Sequence, residues 1–132
     1  MKKQMTVTFP GGKRVDCQWG TFTVHTDQSE RQGGEASAPT PFDLYFAAIS
    51  TCAGISALEY LLQADLPTAA LKVELSATFN PETRRYDRIR IMVTPPPGLD
   101  AAQRDALLRE TSDCAVKRHI LQPPEFETVL AD

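Results

Sequence analysis

The chain has 132 residues, a net charge of −3 and an isoelectric point near 5.4, which is the size of a single domain, residues 1–132, with one real hydrophobic core. An acidic balance excludes the basic surface that nucleic acid or an anionic membrane needs, so neither is expected as a partner. Met1-Lys2-Lys3-Gln4-Met5 has no apolar stretch behind it, so it does not read as a secretory leader, and a cytoplasmic protein is expected. The three cysteines include no Cys-x-x-Cys pair and no Cys/His zinc spacing. They are expected to be buried or redox-active, without metal or organic cofactor.

Thr6 to Phe9 alternates polar and apolar, Pro10-Gly11-Gly12-Lys13 reads as a turn, and Arg14 to Trp19 alternates again with Val15, Cys17 and Trp19 on one side. That is a hairpin. Thr21 to Thr26 adds a third strand with Phe22 and Val24 inward, completing a meander. Cys17 shares the apolar face and reads as a small buried hydrophobe, and His25 falls on the polar face. Asp27 to Pro39 is polar, contains Gly33-Gly34 and has no large apolar residue. A loop of this length is either disordered or a functional lid.

The loop delivers the chain into a long helix that starts at Thr40-Pro41-Phe42-Asp43. Thr40 suits the cap, Pro41 the first helical position, and Asp43 the third, where its carboxylate accepts free amide protons. Pro67 ends the segment. Between Leu44 and Leu58 no residue is charged, so the helix should be buried on every side. The run is shorter than a membrane span and rich in Ala, Ser and Thr, which favours a core helix wrapped by sheet and by a second subunit. Cys52 lies in its middle.

Leu71 to Phe79 has the cleanest period of two in the chain, Asn80 to Arg85 makes a turn, and Tyr86 to Thr94 returns with Ile89, Ile91 and Val93 inward. Three prolines at 95–97 stop this second hairpin. Asp100 and Gln103 form a capping-box pattern that opens an amphipathic helix. Either this helix runs through Cys114, or a new one begins at Thr111-Ser112-Asp113 and carries Cys114 in its first turn. The difference matters because a thiol at a helix N-terminus is shifted toward thiolate. Phe126 to Leu130 alternates as a last strand beyond Pro123-Pro124. The order of elements predicts an α+β fold with largely antiparallel sheet.

At Pro41-x-Asp43-Leu44 with Cys52 eleven residues after the proline, and at Cys114-Ala115-Val116 in a C-terminal helix, the sequence resembles the osmotically inducible protein C / organic hydroperoxide resistance (OsmC/Ohr) family. The resemblance spans nearly the whole chain. It implies an OsmC-like fold, with antiparallel sheets wrapped around a long buried central helix in an intertwined homodimer. It also implies a thiol peroxidase. Cys52 would be the peroxidatic residue, attacking the O–O bond of an organic hydroperoxide, and Cys114 would resolve the sulfenic acid to a disulfide that a cellular dithiol reopens.

Family enzymes offset the burial of the thiolate with an arginine from the first hairpin, held by a carboxylate directly after the helix-opening proline. Arg14 is the counterpart in Gly11-Gly12-Lys13-Arg14, and Arg31 in the polar loop is the alternative. Phe42 follows Pro41, so the orienting carboxylate is missing there. Asp43, one residue on, points about 100° further round the helix and is a candidate substitute. Ala115 stands where the family's peroxidases tend to have proline. Two other readings remain: a binding protein for a small hydrophobic or thiol-bearing ligand without turnover, and a structural domain with inert cysteines. His119 reads as a surface or interface residue, and Lys117 and Arg118 lie on the side of Cys114.

Overall fold

The structure is a computed structural model that describes all 132 residues. Two compact units divide the chain, residues 1–47 and 48–132.

In the first unit β1 (Thr6–Gly11), β2 (Arg14–Trp19) and β3 (Phe22–Thr26) form an antiparallel sheet in the order β1-β2-β3. Both turns put a glycine first with positive φ, Gly12 at 57° and Gly20 at 54°, a conformation that other residues adopt only at a steric cost. Val7, Cys17 and Val24 lie in one cross-strand row. Cys17 is half-buried rather than buried, because β1 beside it is nearly all exposed. Phe22 is expected inward but is 64% exposed. It opens β3 at the end of the sheet and its ring lies 5.8 Å from that of Trp19, its cross-strand partner. His25 is on the polar side as expected, with Nδ1 3.0 Å from Asp16 Oδ1 on the neighbouring strand.

The second hairpin, β4 (Lys72–Asn80) and β5 (Arg85–Thr94), lies in the second unit with α2 (Ala101–Ser112) and α3 (Ala115–Leu121). Leu71, Val73, Leu75 and Ala77 are half-buried and alternate with exposed polar residues, as a sheet with one solvated face requires. A bulge between Thr78 and Phe79 interrupts the register. Asp100 and Gln103 cap α2 reciprocally, each side chain accepting the other's backbone N–H, at 2.8 and 2.9 Å.

The long helix α1 (Pro41–Gln63) crosses from one unit into the other. Its start is the predicted capping box: Asp43 N–H donates to Thr40 Oγ1 at 3.1 Å and Thr40 N–H donates to Asp43 Oδ2 at 3.0 Å. Its end comes before Pro67, where Asp65 takes φ 54° and the amides of Asp65 and Leu66 donate back to the carbonyls of Leu62 and Leu61. This closes the last turn. Ala57 and Leu61 then meet Leu107 of α2 in a core that Tyr60, Leu66, Leu71, Val73, Val93 and Leu99 enclose. Complete burial of a leucine side chain contributes about 1.5–3 kcal/mol, which makes Leu61 and Leu107 the anchors of this unit.

Beyond Cys17 and Phe22, Ile89 of β5 also differs from expectation, being 36% exposed where the pattern puts it inward. Within this one chain α1 is not covered all round: Ile49, Ala53, Ala57 and Leu61 form one buried row at a spacing of four, while Ile55 and Leu62 are 48% and 61% exposed. At 23 residues with a mean hydropathy of 1.3 it is, by length and composition, long enough to cross a membrane, although the buried row is what a core helix shows. The last strand is corrected as well. Residues 123–132 adopt no regular structure, and Phe126, Val129 and Leu130 are 88%, 74% and 97% exposed. A strand needs a neighbour to receive its backbone hydrogen bonds, and no strand of this chain pairs with the segment.

Candidate functional site

Cys52 sits halfway along α1, half-buried, with a free thiol. The residues beside it are small, and Ala53 is completely buried. Four residues on, Ser56 lies on the same side of the helix. With Glu59, Tyr60 and Gln63 of α1, and with Glu110 and Asp113 from the end of α2, it lines a hollow of about 210 Å³.

Cys114 follows Asp113 directly and is 1% exposed, also as a free thiol. Of the two sequence alternatives the structure has the second, shifted by one residue. The helix α2 stops at Ser112, and Cys114 itself is the N-cap of α3, its Sγ accepting the Lys117 amide at 3.4 Å. Thr111 and Ser112 do not cap a new helix. Their hydroxyls donate back to the carbonyls of Leu107 and Leu108, at 2.7 and 2.8 Å. Arg118 pairs with Asp113 at 2.7 Å and so braces the break between the two helices. His119 is exposed and its Nδ1 lies 2.7 Å from the Ala115 carbonyl oxygen, which fits a surface role.

The hollow thus has a wall residue one turn from Cys52 and another adjacent to Cys114. It is not the dry apolar pocket that peroxidase chemistry suggests, since Glu59, Glu110 and Asp113 bring three carboxylates to it. Neither cysteine lines it; α1 and α2 meet through the packing of Leu107 on Ala57 and Leu61.

The remaining candidates belong to the first unit. Arg14 is exposed and folds back over its own turn, with Nε donating to the Gly11 carbonyl at 3.4 Å. Asp43 is engaged in the capping box. Phe42, where the family pattern has a carboxylate, forms a three-ring cluster with Tyr45 and Phe46 at centroid distances of 5.1–5.5 Å. Arg31 lies in a 3-10 turn, Glu30–Gln32, within the polar loop.

Sequence reasoning missed Asp27. A loop that reads as having nothing to bury contains a carboxylate that is 1% exposed and accepts hydrogen bonds from the Ser37 hydroxyl at 2.6 Å and from the amides of Gln28, Ser37 and Glu35 at 2.7, 3.1 and 3.3 Å. These bonds, that from the Ser37 hydroxyl above all, lower its pKa to about 2. The signal that was present is Gly33-Gly34: Gly33 takes φ 91°, and a Cβ at Gly34 would overlap the Gln28 backbone. The residues lining the hollow were missed as well, although Ser56 and Glu59 follow from Cys52 at helical spacing.

The OsmC-like protein family matches residues 33–129, which takes in α1, both hairpin strands of the second unit and the Cys114 segment. No curated protein matches the chain. Among solved structures, a protein of Psychrobacter arcticus described as an osmotic stress induced and detoxification response protein superimposes with a TM-score of 0.75 at 19% identity, over 89% of this chain and 87% of that one. An OsmC-like protein of Mycoplasma pneumoniae gives 0.68 at 12% identity, over 93% and 89%. An organic hydroperoxide resistance protein OsmC of Legionella pneumophila, described as a predicted redox protein and regulator of sulfide bond formation, gives 0.57 at 16% identity, over 91% and 89%. At these identities the structures establish the fold, and with the match over residues 33–129 the conclusion is plain: the chain belongs to the OsmC-like family.

Proposed function

We propose that this protein is a cytoplasmic, cysteine-based peroxidase that reduces organic hydroperoxides as a homodimer. In the first step the Cys52 thiolate attacks the distal oxygen of ROOH, the O–O bond breaks, and the alkoxide leaves as ROH after taking a proton. Cys52 is then a sulfenic acid. The Cys114 thiol condenses with it, forming the S–S bond and releasing water, and a cellular dithiol supplies the two electrons that restore both thiols.

The observation that supports this most is the packing of α1, which carries Cys52, through Ala57 and Leu61 on Leu107 of α2, the helix that leads to Cys114. The Legionella neighbour's description as an organic hydroperoxide resistance protein points the same way. Arg14 or Arg31 is the proposed thiolate-stabilising cation, and Asp43 is its proposed orienting carboxylate only if it is released from the cap. The exposed rows of α1 and the uncovered tail motivate the dimer, in which a second copy would cover them.

A second reading is favoured by Phe42. With an aromatic cluster where the family's orienting carboxylate belongs, the same site would hold a small hydrophobic or thiol-bearing ligand without turnover. Trapping the intermediate separates the two. In a Cys114→Ser variant treated with cumene hydroperoxide, a sulfenic-acid reagent should label Cys52 stoichiometrically. The step should be about a hundredfold slower than in family members that retain the carboxylate, the usual cost of one lost positioned electrostatic group. No label at Cys52 in folded protein moves the ligand-binding reading to first place.

A further inference from the structure

The loop between β3 and α1 has more internal structure than its composition suggests. Besides the Asp27 carboxylate and its four donors, the Asp27 amide donates to the Pro39 carbonyl at 3.1 Å, so the two ends of the loop are tied to each other. Inside it, Gly34 N–H donates to Ser29 O at 2.9 Å and Ala36 N–H to Gln28 O at 3.0 Å. A Cβ at Gly34 would overlap the Gln28 carbonyl and crowd Asp27 Oδ1. Outside it, the Lys13 side chain of the β1–β2 turn lies along Gly33. Ala36 is held at φ 53°, a strained conformation for an L-residue, which persists only where the surroundings determine it.

We propose that residues 27–39 are a self-latched strap, held in one conformation by the Asp27 carboxylate and ordered only while that carboxylate keeps its donors. A disordered segment would expose amides that the strap satisfies from within itself. Every donor to the Asp27 carboxylate lies between Gln28 and Ser37, so these bonds are lost only when the strap itself unfolds. Bonds to an ionised acceptor are among the stronger ones in proteins, and leaving such a group buried with its donors withdrawn is costly. The strap's polar composition is thus explained without motion: Ser37 and the amides of Gln28, Glu35 and Ser37 serve one inward-facing charge, and the side chains of Glu30 and Arg31 stay in water. This inference is independent of the peroxidase reading.

Amide hydrogen exchange on the full-length protein at neutral pH tests it. In the wild type the amides of Gln28, Gly34, Ala36 and Ser37 should exchange at least tenfold more slowly than in an unstructured peptide. Asp27→Asn should remove most of that protection at Gln28 and Ser37 and leave the β4–β5 amides unchanged. Should the Asn variant fail to fold, Ser37→Ala, which removes only the hydroxyl donor, must lower protection at Gln28 and Glu35 by a smaller factor. Wild-type strap amides that exchange at the peptide rate, or variants as protected as wild type, would overturn the proposal.

Discussion

The strap at residues 27–39 and the tail at 123–132 both lack strands and α-helices, yet they are opposites. The strap is polar, and its one buried charge finds every donor it needs inside the strap, once the chain folds back on itself. The tail alternates apolar residues in a strand's rhythm, and within this chain nothing covers Phe126, Val129 or Leu130. A polar segment can be completed locally by side-chain and amide donors, whereas an alternating apolar segment is completed only by another strand and another apolar face. The loop is therefore satisfied from within, while the apolar side chains of the tail stay exposed.

The largest effect expected from this contrast is on assembly. Deleting residues 125–132 removes side chains that this chain leaves exposed, so the melting of a lone protomer should not change. If a second copy buries Phe126, Val129 and Leu130, each contributes about 1.5–3 kcal/mol to association, and sedimentation should show a dimer for the full chain and a monomer for the truncated one. A full chain that sediments as a folded monomer at low micromolar concentration removes the basis for the contrast.

Gly34→Ala comes next, because the added methyl has no space beside the Gln28 carbonyl and Asp27. A loss of about 3 kcal/mol, the upper end for overpacking, is expected in denaturant unfolding. An unchanged midpoint would mean that the strap yields easily.

Two neighbours on α1 sharpen the same question. Ala53 is fully buried in the chain, while a Cβ on Gly54 would meet nothing within 4 Å. Ala53→Leu should therefore destabilise the protomer by about 1–3 kcal/mol. Gly54→Leu should leave the protomer intact and weaken only the dimer, read as a concentration-dependent shift in melting. Equal effects on both would place the two residues in one environment.

The smallest effect is the response to acid. Asp27 has its folded pKa lowered from 3.8 to about 2, so the strap's stabilisation is complete above about pH 4 and is lost as pH falls through about 2. Between those values the melting temperature of wild type should fall more steeply than that of Asp27→Asn. Parallel curves would show that this carboxylate is not linked to folding.

Much of the architecture was legible because it is written in short-range patterns. The period of two over Leu71–Ala77, the Thr40-Pro41-x-Asp43 cap and the Asp100/Gln103 box each reappear as geometry, while the bulge between Thr78 and Phe79 leaves Phe79, expected inward, 50% exposed. The place of Cys52 in the long helix was legible from its spacing after Pro41, and that of Cys114 from the cap-forming residues before it; their chemistry is a proposal. What stayed hidden depends on distant partners. Asp27 looks like any loop carboxylate until the chain folds back and brings Ser37 to it, and the carboxylates around the hollow come from α1 and from the end of α2, which meet where Leu107 packs on Ala57 and Leu61. The last strand was misread because its alternation is real while its pairing edge is absent from the chain.

The proposed peroxidase stands or falls with Cys52 and Cys114 acting as one redox couple. Thiol counting after one equivalent of cumene hydroperoxide, followed by mass mapping of the oxidised protein, decides it. Two thiols per chain should be consumed, with a single Cys52–Cys114 disulfide and Cys17 still free. Retention of all three thiols in folded protein under excess hydroperoxide, or a disulfide that includes Cys17, would contradict it.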